Sequence, residues 1–308
     1  MEPAPLHSHL AAMPAGGRAF WRRAADGTRI RVAVWEAAGA KTVLVFPGRT
    51  EFIEKYGEVV SMLIQRGFDV AVVDWRGQGL ADRHPNRPEM GWVERFADYQ
   101  QDVAQVLETV QETGLPAPFA MIGHSMGGAI GLRALLNDLP VQKAIFSGPM
   151  WDILVAPHLR LVASVISLVA PKIGLGQRLV PSGDPRNYVE YQPFEGNTLT
   201  TDPSRYAIMQ SHLQEHPEMG LGAPSIHWFA EARRECAKLV TQAPAKHDTL
   251  TLLGTREAIV DPDAVRKVMG KWPNGKLVMV EGGEHEVLME RDDLLDLVWT
   301  EIDAHLGV

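Results

Sequence analysis

The chain has 308 residues, of which 45% are hydrophobic and 22% are charged. This length and apolar content suffice for one large core, or for a core with a smaller satellite, and they exclude wholesale disorder. The formal net charge of −8 repels a polyanion, so nucleic acid is not an expected partner. The one cysteine, Cys236, cannot form an internal disulfide, which fits a reducing compartment.

The N-terminal residues do not have the pattern of a secretory signal. Residues 1–17 contain no cationic start and no long apolar run, so we predict an N-terminal tail rather than a secretory signal. The most apolar later stretch, 153–171, is interrupted by Pro157, His158 and Arg160. Its uninterrupted part, 161–170, is too short to span a bilayer, which needs about 20 apolar residues. We therefore expect a cytoplasmic protein, with peripheral contact as its closest association with a membrane.

Short β-branched segments alternate with longer amphipathic ones along most of the chain. In chain order, the first half predicts strands at 29–36, 41–46, 68–74, 119–122 and 143–147, and helices at 51–66, 96–113 and 126–137. The alternation stops after Met150 and resumes with strands at 249–253 and 276–281 and helices at 262–269 and 291–306. Such alternation builds a mostly parallel sheet with helices on both faces.

The interruption divides the chain into two parts of one sheet domain. We predict a core made of residues 18–150 and 242–308, with a helical cap inserted at 151–241. The insertion follows the carboxyl end of a strand, where open α/β sheets bind their ligands. The cap is therefore expected beside the functional site.

The sharpest chemical signal is the segment 123–128, which reads Gly-His-Ser-Met-Gly-Gly. It matches G-x-S-x-G and lies between a predicted strand and a predicted helix. A serine on such a tight turn has a strained backbone and an exposed hydroxyl, and the glycines avoid collisions with the neighbouring strand and helix. The N-terminus of the following helix favours a developing negative charge. We predict Ser125 as a nucleophile.

A serine hydroxyl needs a base, and the base needs an orienting carboxylate. In proteins with this motif the chain order is serine, acid, histidine. His285 is the histidine on the loop after the last predicted strand, beside Gly282 and Gly283, and it is the predicted base. For the acid we choose Glu257, the first carboxylate after the penultimate strand. Asp261 is the alternative, although an Asp before Pro also caps a helix, and Asp263 ranks below both.

The oxyanion formed during acyl transfer needs two backbone N–H donors. One is predicted from Met126, after the nucleophile, and the other from Arg49, in the loop after an early strand. Four neighbouring residues are predicted to contact the substrate: Gly48, His124, Met150 and Trp151. This chemistry requires no cofactor and no metal ion.

Two other kinds of site find little support. His212 and His216 have a spacing that places metal ligands on one helix face, but no third ligand at suitable spacing is evident. The segments 77–79 and 174–176 each read Gly-x-Gly without the third glycine of a dinucleotide-binding loop. We predict neither a metal site nor a nucleotide site.

These motifs resemble those of a known family, the bacterial lysophospholipase and monoglyceride lipase branch of the α/β-hydrolases. The matching stretches are 46–51 (Phe-Pro-Gly-Arg-Thr-Glu), 74–79 (Asp-Trp-Arg-Gly-Gln-Gly), 123–128, 254–260 and 283–286. The resemblance implies an α/β-hydrolase fold with an inserted cap. It also implies a serine hydrolase that cleaves lysophospholipid or monoacylglycerol esters through an acyl-enzyme, and so a small lipid as partner.

Two departures from the family pattern leave the substrate open. Pro47 and Gly48 stand where monoglyceride lipases usually carry His-Gly, and Glu257 stands where Asp is common. Hydrolysis of a small ester, a thioester or an N-terminal peptide bond uses the same residues. A non-catalytic binding module on the same fold is a further alternative.

Two features suggest how a lipid would be held. The Arg49 guanidinium at the pocket mouth is able to pair with a phosphate, or else forms an ion pair with Glu51 or Glu54. The apolar run 161–170, with Ile153 and Leu154, either receives an acyl chain, touches a lipid surface, or packs on the sheet domain.

Overall fold

The computed structural model describes residues 1–10, 12–156, 158, 165–166, 169–242 and 245–308. Within them, nine strands form one sheet in the order β1-β2-β3-β5-β4-β6-β7-β8-β9. The strands are β1 (Glu2–Ala4), β2 (Arg18–Arg23), β3 (Arg29–Trp35), β4 (Thr42–Phe46), β5 (Asp69–Asp74), β6 (Pro118–His124), β7 (Lys143–Ser147), β8 (Asp248–Gly254) and β9 (Gly275–Val280).

The six strands from β5 to β9 in this order run parallel, whereas β1, β2 and β3 join the sheet in antiparallel pairs. Because parallel strands end at a common edge, the loops after β4, β6, β8 and β9 meet there. This is the mostly parallel sheet that the sequence predicts.

Eight α-helices lie entirely within the described residues: α1 (Gly57–Gln65), α2 (Tyr99–Glu112), α3 (Met126–Leu136), α4 (Tyr188–Tyr191), α5 (Pro203–Glu215), α6 (Ile226–Leu239), α7 (Pro262–Met269) and α8 (Asp292–Leu306). Alternate residues of a strand point to opposite faces of the sheet. Leu44 and Phe46 pack with α2, α3 and α7, whereas Val43 and Val45 pack with α1 and α8. Helices therefore cover both faces, as predicted.

The first turns of two predicted helices have a different conformation. The predicted helix 51–66 begins with a 3-10 turn, Ile53–Tyr56, before α1, and the predicted helix 96–113 begins with Phe96–Asp98 before α2. The N–H of Ile53 donates to the buried Asp74 carboxylate at 2.8 Å. A tertiary hydrogen bond thus shapes the start of the first helix, which periodicity does not reveal.

The N-terminal segment differs from the tail that the sequence predicts. Residues Glu2–Ala4 form an edge strand on β2, and Leu10 is buried. The strand is only three residues long and contains Pro3, so its pattern is too brief to identify a strand. Gly17 lets the chain pass the indole of Trp35, since a Cβ there would lie 2.4 Å from its Nε1 atom.

The described residues between β7 and β8 form α4, α5, α6 and 3-10 turns, and none of them forms a strand of the sheet. Side-chain caps define these helices: Asp202 accepts the N–H of Arg205 at 2.8 Å, and Ser225 accepts that of Trp228 at 3.0 Å. Residues 161–164 and 167–168 of the predicted apolar run lie outside the described part of the chain. Among the described helices, none combines the length and apolarity needed to cross a bilayer.

Candidate active site

Ser125 lies at the sharp turn between β6 and α3. Its backbone has φ 49° and ψ −116°, a region that is strained for a residue with a side chain. A Cβ at Gly127 would lie 1.9 Å from the carbonyl oxygen of Phe46, so a glycine is required where the helix crosses β4. The turn presents the Ser125 side chain to a cavity above the carboxyl ends of the strands.

Two loops bring His285 and Glu257 together. His285 Nδ1 lies 2.7 Å from Glu257 Oε2, and the other carboxylate oxygen accepts the N–H groups of Ile259 at 2.7 Å and Val260 at 3.1 Å. Both carboxylate oxygens are therefore engaged. A carboxylate at Nδ1 keeps the proton there and leaves Nε2 able to accept a proton from a serine.

The local charges keep Glu257 ionised. Burial alone would raise the pKa of the Glu257 carboxyl group. The electrostatic attraction and hydrogen bond of His285, together with the N–H groups of Ile259 and Val260, outweigh burial and hold this pKa below its ordinary value. Gly148, with φ 48°, makes room for this pair. A Cβ there would lie 3.1 Å from His285 Nδ1 and 3.2 Å from Glu257 Oε2.

The two other candidate acids have different partners. Asp261 Oδ1 accepts the N–H of Asp263 at 2.9 Å and caps α7, whose first residue is Pro262. The side chain of Asp263 is 91% exposed and pairs with Arg266 at 3.0 Å. Capping explains the Asp-Pro pattern, and neither carboxylate is hydrogen-bonded to His285 within the described residues.

Two backbone N–H groups beside Ser125 are available for an anion. In the described part of the chain, neither the N–H of Arg49 nor that of Met126 has a hydrogen-bond acceptor. Met126 is the first residue of α3, where a helical N–H has no partner within the helix. These are the two amides that the sequence predicts for an oxyanion.

The cavity has a volume of about 560 Å³, and Ser125, His124, His285, Arg49 and Met150 line it. Much of the remaining wall is aliphatic and includes Ile153, Val155, Ile166, Met209 and Leu213. Most of these aliphatic residues lie between β7 and β8. Such a chamber is suited to a long apolar group beside a few polar atoms.

Two of the residues predicted to contact substrate, Gly48 and Trp151, lie behind the cavity wall. The backbone at Gly48 packs against the His124 ring, since a Cβ there would lie 3.1 Å from His124 Cδ2. Trp151 differs more from the prediction: its indole is 0% exposed and its Nε1 donates to the carbonyl of Gly128 at 3.3 Å. Its ring packs 5.0 Å from that of Phe146, so Trp151 is part of the core beneath α3.

The family described as serine aminopeptidase, S33, matches residues 38–292. The chain belongs to this family. It is 27% identical over 277 residues to a probable lysophospholipase L2 of Haemophilus influenzae, covering 89% of this chain and 86% of that protein. It is 29% identical over 292 residues to a monoglyceride lipase of Homo sapiens, covering 91% and 87% of the two chains.

Among solved structures, a soluble variant of monoglyceride lipase from Saccharomyces cerevisiae has a TM-score of 0.74 at 20% identity and covers 98% of both chains. That likeness shows the fold. Together these findings confirm the predicted α/β-hydrolase fold and the predicted branch of lysophospholipases and monoglyceride lipases. This S33 family member is an enzyme of the serine hydrolase type.

A buried charge network that no sequence motif predicts lies beneath the site of this family member. The Lys55 ammonium lies between two carboxylates, hydrogen-bonded to Glu51 and, at 2.5 Å, to Glu286. Glu51 also accepts the N–H of Gly48, and Glu286 directly follows His285. One ammonium therefore connects the loop that carries the Arg49 amide with the loop that carries His285. The pairing of Lys55 with Glu286 spans 231 positions, so no local pattern reveals it.

His124 lies inside the same network. Its Nδ1 lies 2.9 Å from the carbonyl oxygen of Ser147 and its Nε2 lies 3.2 Å from Glu286. Burial lowers the pKa of His124, but the charges of Glu286 and Glu51 outweigh it and raise the pKa above its ordinary value. Both ring nitrogens face acceptors, which favours an imidazolium. Its ring lies 4.8 Å from that of His285.

Arg49 is a charged residue of the cavity wall that has no counterion among the residues that the structure describes. Its Nη1 donates to the carbonyl of Gly222 at 2.8 Å, and the guanidinium lies 5.6 Å from the Trp228 ring. Within the described residues, no carboxylate lies within ion-pair distance of it. Burial lowers the pKa of Arg49 to about 10, so it stays charged at neutral pH.

The ion pair considered for Arg49 is not formed because both candidate carboxylates have other partners. Glu51 binds Lys55 and accepts the Tyr56 hydroxyl at 2.6 Å. Glu54 pairs with the fully buried Arg31 at 2.6 Å. Arg49, a residue of the cavity wall, therefore has no carboxylate partner within the described part of the chain.

Proposed function

We propose that the protein hydrolyses the carboxylic ester of a monoacyl lipid through an acyl-enzyme at Ser125. An ester-cleaving lipid hydrolase agrees with its family and with relatives named lysophospholipase and monoglyceride lipase. The observation that carries the proposal is the hydrogen bond between His285 and the buried Glu257, at the wall of an apolar cavity that Ser125 also lines.

The proposed reaction begins when His285 Nε2 takes the hydroxyl proton of Ser125 as the serine oxygen attacks the ester carbonyl. The amides of Arg49 and Met126 donate to the resulting oxyanion. The alcohol leaves with the proton held by His285, and an ester of Ser125 remains. Water, deprotonated by His285, then cleaves that ester and releases the fatty acid and the serine hydroxyl.

We assign the segment 151–241 as a cap that admits the lipid. Four large aliphatic side chains among the described residues of this segment are exposed to solvent: Leu154 (40%), Val165 (51%), Val169 (46%) and Ile173 (63%). Their sequence neighbours Ile153, Val155 and Ile166 line the cavity. One stretch of chain thus carries apolar side chains both outside and inside. This supports peripheral contact of the cap with a lipid surface, from which an acyl chain enters.

The uncompensated charge of Arg49 favours an anionic head group. A guanidinium binds phosphate through two parallel hydrogen bonds, and burial strengthens that attraction. A glycerol head group offers no charge to pair with it. We therefore infer a lysophospholipid rather than a monoacylglycerol as the preferred substrate.

The preference is tested by comparing two lipids that share one acyl chain, a lysophospholipid and a monoacylglycerol. In the wild type we expect the higher kcat/KM for the lysophospholipid. In Arg49→Met that ratio is expected to fall at least about tenfold, because a hydrogen-bonded charge pair contributes about 1.5–3 kcal/mol. Arg49→Lys is expected to restore part of the ratio. The backbone N–H of residue 49 remains in both variants, so its effect cancels in the ratio.

An unchanged ratio in Arg49→Met would reject the role of this guanidinium. A p-nitrophenyl ester of a short acid, which has no lipid head group, serves as the reference substrate. If the wild type cleaves this reference ester but neither lipid, the lipid substrate is rejected and the protein acts on another acyl compound. Thioester and N-terminal peptide substrates, assayed side by side, then identify which one.

A further inference from the structure

A cluster of imidazoles and carboxylates lies where the N-terminal segment meets the end of α5. The ring of His7 stacks on that of His216, with centroids 3.6 Å apart. His216 Nδ1 lies 2.9 Å from Glu218 Oε1. His7, His216 and Glu218 each offer one ligand atom, and these atoms lie within 4.8 Å of one another. A second set, His9, Glu215 and His216, meets the same distance limit.

The histidine pair at 212 and 216 has no third ligand at suitable spacing in the sequence, and the fold explains why. His212 is buried, with its ring 6.0 Å from that of Phe52, so it is not part of the cluster. The additional ligands come from His7 and Glu218 instead. His7 is separated from His216 by some 200 positions of sequence, and no motif spacing records such a meeting.

A second observation points to a missing ligand of these side chains. His7 Nε2 is one of several buried imidazole nitrogens without a hydrogen-bond partner in the described residues, and it is the one that belongs to this cluster. Unpaired buried polar atoms are unfavourable and therefore rare. The segment is held in place on both sides of this ring. The backbone N–H of His7 donates to Glu54 Oε1 at 3.2 Å. Leu10 packs in one apolar cluster with Tyr206.

We propose that His7, His216 and Glu218 bind a Zn²⁺ ion, with water in the fourth position. Imidazole nitrogens with a carboxylate are a donor set that suits Zn²⁺ and not Ca²⁺ or Mg²⁺. Around tetrahedral Zn²⁺, with bonds of about 2.0–2.1 Å, neighbouring ligand atoms lie about 3.3 Å apart. The ligand atoms of the set lie within 4.8 Å of one another, so side-chain rotations that separate the two stacked rings would bring these atoms to that spacing. The ion would fasten the N-terminal segment to the end of α5.

The test is zinc binding by the full chain after EDTA treatment, without any histidine tag, followed by titration calorimetry. The wild type is expected to bind one Zn²⁺ per chain and to gain thermal stability with rising Zn²⁺. His216→Ala and His7→Ala are each expected to weaken binding at least tenfold. Glu218→Gln changes an exposed side chain and is expected to weaken it without loss of folding.

The matched control is His227→Ala, which removes a histidine whose Nε2 lies 2.8 Å from the carbonyl of Glu94, outside the cluster. It is expected to bind Zn²⁺ as the wild type does. Absence of saturable binding in the wild type would overturn the proposal. So would equal binding by the wild type and by both Glu218→Gln and His216→Ala. The readout is independent of ester hydrolysis.

Discussion

Replacing Ser125 by alanine is expected to lower kcat for ester hydrolysis by about 10⁴- to 10⁶-fold, because removal of the nucleophile of such a triad leaves only binding and oxyanion stabilisation. The strained backbone of Ser125 places its hydroxyl at the cavity wall. No neighbouring serine or threonine stands at that turn to replace it. Hydrolysis of a p-nitrophenyl acyl ester, followed at saturating substrate, measures the effect.

Thermal unfolding of Ser125→Ala provides the control, since a folded variant with an intact cavity separates loss of chemistry from loss of structure. A folded Ser125→Ala protein with the wild-type rate would reject Ser125 as the nucleophile.

Glu257→Gln is expected to lower kcat by about 10⁴-fold, the scale on which a triad loses activity when its acid becomes an amide. An amide at this position no longer stabilises the imidazolium of His285, and its NH₂ group favours the wrong tautomer. The KM is expected to change much less, because the carboxylate is buried behind the imidazole and outside the cavity wall.

Asp261→Asn is the matched comparison for Glu257→Gln, because it makes the same chemical change four residues further along the chain. Asn caps helices about as well as Asp, so α7 is expected to keep its start and kcat to stay within about threefold of the wild type. A large loss of kcat in Asp261→Asn together with a small loss in Glu257→Gln would instead identify Asp261 as the acid.

The sequence predicts the seven strands from β3 to β9 and the helices between them well because each carries its own local pattern, whereas it does not predict β1 and β2. The parallel strands are nearly continuous apolar runs, and α7 has the predicted bounds, with Asp261 and Pro262 at its start. The motif around Ser125 and the chain order of acid and base suffice to nominate Glu257 and His285, which the structure brings within 2.7 Å.

The contacts that the sequence does not reveal join residues that are far apart along the chain. Lys55 meets Glu286, and His7 meets His216, only after the chain has folded, so neither contact leaves a local pattern. Trp151 illustrates a different limit. Its position after Met150 predicts a cavity residue, but the buried surface beneath α3 accommodates the large indole.

The proposed hydrolysis requires an activated hydroxyl at Ser125, and covalent capture of that hydroxyl is its decisive test. A fluorophosphonate probe that reacts with activated serines is added to the wild type, and the digested protein is analysed by mass spectrometry. We predict one adduct per chain, on the peptide that contains Ser125, with parallel loss of esterase activity and slower labelling of His285→Ala. A wild type that hydrolyses esters while Ser125 remains unmodified, or that loses activity through an adduct on another serine, would contradict the account.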